Sequence, residues 1–298
     1  MKKQFIALLL AAWGFGCVFS DGLAQGPPIN IDSPILLGLS GRAVRTFGRV
    51  IRLTKLLQEG EEIADALDRE VTVLVTPLAV PYNFSDRVQV AGIFPLVHAH
   101  LDTRNQNLSS TGLGDIQFFA KYVFYKHDAK NKTFRVAARV NLKLPTGDED
   151  ETPALGSGST DYSFALVGGW IKHRVGVYVE GVYGLNTSHR GTNFGNSVSY
   201  NLALGYRLLP VVYERYPSPQ WNAYLEINGT TAAKNDFNGA ADQNSGGTTI
   251  FLSPGLQYIG GRLWLVEASF QYPIVDDPNG LQLGTDWTAS LGIRVLLY

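Results

Sequence analysis

Residues Phe134 to Leu144 read F-R-V-A-A-R-V-N-L-K-L, and apolar and polar side chains alternate along them. In an extended chain Phe134, Val136, Ala138, Val140, Leu142 and Leu144 share one face, and Arg135, Arg139, Asn141 and Lys143 share the other. A soluble sandwich accepts such a strand too. The pattern recurs along nearly the whole chain, however, and a barrel in a membrane needs it in every strand.

Working outward from this stretch, Ile116 to Phe124 sets Ile116, Phe118, Ala120, Tyr122 and Phe124 against Asp115, Gln117, Phe119 and Lys121. The same period of two runs through Tyr162 to Trp170, Val175 to Leu185, Val198 to Leu208, Trp221 to Ile227, Ile250 to Tyr258, Trp264 to Tyr272 and Trp287 to Leu297. Upstream, Val71 to Phe84 and Arg87 to His98 read as a hairpin turned at Ser85-Asp86. A further strand at Ala43 to Leu53 is less regular, because Arg45, Arg49 and Arg52 do not share a face. The expected fold is all-β, a transmembrane antiparallel up-and-down barrel of about twelve strands.

Connections alternate in length as well. Ser85-Asp86, Lys126 to Lys132, Lys172-His173 and Gly260-Gly261 are short, with Pro210 to Gln220 the long exception on that side. Asp102 to Thr111, Thr146 to Ser159, Asn186 to Asn196, Lys234 to Gly247 and Pro273 to Asp286 are long and rich in Gly, Asn, Asp and Ser. Short periplasmic turns and long external loops are the outer-membrane arrangement, with both termini periplasmic. The acidic stretch Glu59 to Arg69, expected to include a helical turn, then falls outside.

The amino terminus has Lys2 and Lys3, an apolar run from Phe5 to about Phe19, and small residues ending at Ala24, the layout of a cleaved signal peptide over residues 1–24. Residues 25–40 form an N-terminal extension and 41–298 the barrel. Removing the signal leaves 23 basic and 25 acidic side chains, a formal charge of −2, which gives no electrostatic case for nucleic acid. The only cysteine, Cys17, lies in the signal's apolar run. The extension Q-G-P-P-I-N-I-D-S-P-I-L-L-G-L-S could enter the barrel, since Pro27, Pro28 and Pro34 disfavour both helix and central strand. The terminal Tyr298 fits a chain that the barrel-assembly machinery recognises, although its parity is that of Arg294 and Gly292.

P-Y-N-F-S-D-R-V-Q-V at Pro81 to Val90, G-L-G-D-I at Gly112 to Ile116, K-L-P-T-G-D at Lys143 to Asp148 and G-S-G-S-T-D at Gly156 to Asp161 cover the middle of the chain. With these motifs the sequence resembles the MetA-pathway phenol-degradation family of outer-membrane barrels. The resemblance implies a transport role for small aromatic or other apolar molecules in the outer membrane of a Gram-negative bacterium. It carries over no substrate-binding residues.

The polar face supplies the pore-lining candidates Asp115, Lys121, Arg135, Arg139, Lys143, Asp161, Glu180, Arg207, Glu226, Glu267 and Arg294. An Arg facing lipid at the membrane centre costs about 2–4 kcal/mol, so these residues belong inside. Opposite charges there either tune passage through water or pair and close the interior, which leaves a channel and a closed structural or adhesive barrel both open. Expected partners are outer-membrane lipid, lipopolysaccharide and small hydrophobic or aromatic solutes; no cofactor is expected. His98, His100 and Asp102 share a face but read as rim residues rather than metal ligands, and Asp148 to Glu151 as a solvated acidic loop. A surface hydrolase would have to use Ser188 and His189, in a loop that does not require them to meet. No enzymatic role is expected.

Overall fold

The computed structural model describes residues 27–36, 42–212, 218–261 and 263–297. The signal segment and Tyr298 lie outside the described residues. Twelve antiparallel strands form the wall: β1 (Arg42–Leu53), β2 (Glu70–Asn83), β3 (Val88–Thr103), β4 (Gln117–Ala129), β5 (Lys132–Lys143), β6 (Asp161–Lys172), β7 (Val175–Leu185), β8 (Ser197–Leu209), β9 (Gln220–Ala232), β10 (Gly247–Ile259), β11 (Trp264–Pro278) and β12 (Trp287–Leu297). Each pairs with its neighbours in sequence, and β1 pairs with both β2 and β12, so the ring closes and, among the described residues, each of the twelve wall strands has a partner on both sides.

Burial follows the alternation. Along β5, Ala137, Arg139 and Lys143 are buried while Ala138 and Val140 are exposed, so the oily face is the outer one. Exposed Leu166, Val179, Leu204, Leu225 and Leu256 continue this band around the barrel. Aromatic residues flank it, among them Trp221, Tyr258 and Trp264, with ring centroids 4.8 and 5.5 Å apart, near the periplasmic end.

Three expectations about connections need correction. The stretch Glu59 to Arg69 holds no helix: Glu61–Ile63 pairs with Lys55–Gln58, which in turn pairs with Leu281–Gly284, and a turn follows at Asp65 to Asp68. Asp102 to Thr111 is not an open loop, because β3 runs on past the wall and folds back with Gln106–Leu113. Strands β4 and β5 reach Ala129 and Lys132, leaving two residues where a seven-residue connection was expected. In the last two cases backbone pairing extends the barrel ladder beyond the apolar stretch, and in the first it builds a separate three-stranded sheet outside it.

The loop over 144–160 tucks into the external mouth. Leu155 is buried against Ile51, Leu53, Val71, Val73, Val97 and Ala99 on the inner faces of β1 to β3. Its backbone N–H donates to the carbonyl of Asp148, and Ser110 Oγ donates to the carbonyl of Pro153.

Candidate functional site: a peptide held inside the barrel

Residues 27–36 thread the interior as a segment with no regular strand. Prolines at 27, 28 and 34 remove backbone donors, so a ladder against the wall is replaced by contacts with individual side chains. Ile29, Ile31 and Ile35 pack on the inward Ile171, Tyr178, Ala203 and Tyr224, and Leu36 packs on Val123 and Ala137. Gly255 and Gly169 provide the room: a Cβ at the first would stand 2.5 Å from Ile29 Cδ1, and at the second 2.9 Å from Pro34 Cδ.

Polar contacts anchor the segment at two places, over residues 27–30 and at 32–33. Asp32, fully buried, sits 2.5 Å from Lys121 Nζ and 2.8 Å from Arg139 Nη1. Arg139 also reaches Glu180 at 3.2 Å, and Lys121 donates to the carbonyl of Ser33 at 3.1 Å. On the opposite wall the Glu226 carboxylate accepts the N–H groups of Ile29 at 2.7 Å and Asn30 at 3.0 Å. Arg45 donates to the carbonyl of Ile29 at 3.1 Å and pairs with Glu267 at 2.5 Å, and Gln257 bridges Glu267 to the carbonyl of Pro27. A buried charge requires a partner and hydrogen bonds, and here the peptide supplies both.

The remaining candidates fall into smaller groups. Lys143 pairs with Asp115 at 2.9 Å and Asp161 at 2.5 Å beneath the external loop, with Ser157 and Ser159 completing the cluster. Arg135 lies at the periplasmic rim, paired with Asp128 at 2.9 Å. Arg207 is buried near the same end, and Arg294 is buried directly opposite Arg45 across the β1–β12 ladder. Thus Lys121, Arg139, Glu180, Glu226 and Glu267 meet around the peptide, whereas Asp115, Lys143 and Asp161 form a separate external group.

Sequence reasoning missed Arg45, Arg49 and Asp32. Arg45 and Arg49 do share the inward face, on either side of Phe47, at 5.4 and 5.2 Å from its ring centroid; Arg52 alone is on the outer face, bonded to Glu70 and Thr72. Odd parity at 45, 47 and 49 was the available signal. Nothing local marked Asp32, whose partners lie 89 and 107 residues away.

A family model matches residues 74–287 of this chain. The chain belongs to the family described as the putative MetA-pathway of phenol degradation. This phenol-degradation family protein is similar in fold to an outer membrane channel from Pseudomonas putida F1, at 15% identity and a TM-score of 0.70 over 89% of this chain and 98% of that one. The beta domain of the Bordetella autotransporter BrkA is 13% identical, with a TM-score of 0.48 over 86% of this chain and 98% of that one. No curated protein sequence matches the chain. The phenol-degradation family protein has the fold of an outer-membrane barrel, and its exposed oily band is the face that such a barrel turns to lipid.

Elsewhere, His98 Nδ1 contacts Thr111 Oγ1 at 2.6 Å on the extended hairpin, and among the described residues no group of His, Cys, Asp and Glu is placed to hold a metal ion. His189 turns to Glu149 at 2.9 Å, and Arg190 also pairs with Glu149, so the acidic loop is tied to the next loop.

Proposed function

We propose that the protein is an outer-membrane channel for small apolar or aromatic compounds, in which residues 27–36 set the open cross-section. One observation carries the reading: the peptide adds no strand to the wall, and β1 to β12 close without it. Its displacement would therefore open the interior and leave the barrel intact. The family's association with phenol degradation supports an aromatic cargo. So does the lining, where cations stand over rings: Lys121 and Arg139 lie 5.7 and 6.0 Å from the Phe119 centroid. Asp115, Lys121, Arg135, Arg139, Lys143, Asp161, Glu180, Arg207, Glu226, Glu267 and Arg294, with Arg45 and Arg49, are the residues proposed to line the path. Contact with lipopolysaccharide and assembly by the barrel-assembly machinery belong to the same proposal.

The closed-barrel alternative draws on the same peptide, since its ion pairs fill the lumen. Uptake separates the two. Vesicles with lipopolysaccharide in the outer leaflet and folded protein should take up a labelled aromatic carboxylate faster than protein-free vesicles. Equal rates in both preparations would leave only the closed scaffold.

A further inference from the structure

The outer wall carries a groove near its periplasmic edge that the channel does not use. Across β4 to β7, His127, Phe134, Trp170 and Val177 stand directly opposite one another and form one transverse row on the lipid face. With Tyr125 and Lys132 they line an open cavity of about 680 Å³. One row nearer the periplasm, about 7 Å along the strands, Lys132 stands opposite Lys172. The acids of this rim are already engaged: Asp86 takes Lys126 at 2.8 Å and Asp128 takes Arg135 at 2.9 Å. Among the described residues no carboxylate pairs with Lys130, Lys132 or Lys172.

We propose that this groove seats an anionic phospholipid of the periplasmic leaflet. Its acyl chains lie along Phe134, Trp170 and Val177, and its phosphate sits among Lys132, Lys172 and His127. The occupant follows from charge and depth. Aromatic and aliphatic walls lead into the apolar band on one side, and two unpaired ammonium groups meet the headgroup layer on the other. Each basic residue at such a surface contributes about fivefold in affinity for an anionic headgroup. Lipopolysaccharide occupies the opposite leaflet, beyond the reach of this rim.

Tryptophan quenching tests the proposal. In a chain purified from outer membranes with Trp221, Trp264 and Trp287 replaced by Phe, Trp170 reports the groove. Brominated phosphatidylglycerol should compete for it at least about fivefold better than brominated phosphatidylcholine, and Lys132→Gln with Lys172→Gln should bring the ratio close to one. Equal quenching by the two headgroups before the lysines are changed would overturn the proposal, as would a preference that survives their loss. The protein with its native tryptophans supplies a second reading by native mass spectrometry. A retained phosphatidylglycerol adduct should disappear in the double lysine variant, and an adduct retained there would count equally against the site.

Discussion

Replacing Asp32 by Asn is the sharpest perturbation of the interior. The carboxylate is fully buried, and it answers two cations at 2.5 and 2.8 Å that are themselves buried. Removing one partner of such a group costs about 3–5 kcal/mol, because the charges left behind lose compensation in a poorly solvated place. Glu180 recovers part of this, since it already touches Arg139 at 3.2 Å and lies on the wall rather than the peptide. Withdrawal of the segment lets water reach Lys121 and Arg139, so the cost falls on the threaded state alone. At 1.4 kcal/mol per tenfold, the equilibrium between threaded and withdrawn peptide shifts by roughly 10²–10³-fold toward withdrawal. Single-channel recording in planar bilayers should show larger or longer openings for Asp32→Asn. A cysteine at Ile31, which is fully buried, should react with a water-soluble maleimide far faster in that background. Unchanged conductance together with unchanged labelling, in protein with native heat-modifiable mobility, would refute the view that Asp32 latches the peptide.

Gly255→Val places side-chain atoms where Ile29 Cδ1 already stands 2.5 Å from an ideal Cβ, so it should raise conductance without altering barrel stability by more than about 1–3 kcal/mol, measured by urea unfolding in detergent micelles. Leu166→Arg sets a charge on the lipid face, six residues above the periplasmic end of β6 and near mid-membrane, and should lower folding stability in vesicles by about 2–4 kcal/mol relative to Leu166→Ala; an equal cost for the two would contradict lipid exposure. Burial raises the Asp65 carboxyl in the external loop, but hydrogen bonds from Arg69 and from the N–H groups of Leu67 and Arg69 outweigh it and hold the group below its usual 3.8. A lowered pKa means that this contribution to loop order is complete above about pH 3.8 and is lost as pH falls through the folded value; pepsin cleavage at Leu67 should therefore rise below that pH in the native chain and show no such step in Asp65→Asn.

How far the sequence reading reached depended on how local each signal was. Phe134 to Leu144 predicted which residues of β5 face outward, and that parity held from Gln117 to Lys121, through Asn201 and Arg207, and on to Arg294. Where the ladder has a bulge, at Val123/Tyr125 or Ile250/Phe251, the parity breaks and local reading loses the face. Arg45 and Arg49 were legible by parity, but grouping them with Arg52 hid it. The hairpin at Gln106–Leu113 was not legible, since neither face has a continuous apolar series and only pairing with β3 makes these residues a strand.

The alternation of oily and polar side chains was enough to specify a closed barrel with a charged interior, because period two and the cost of charge in lipid act on every strand independently. Threading of residues 27–36 through that interior was decided only by tertiary structure. Ile29 meets Glu226 across 197 residues of sequence and Asp32 meets Lys121 across 89, and contacts of that range exist only once the wall has closed around them.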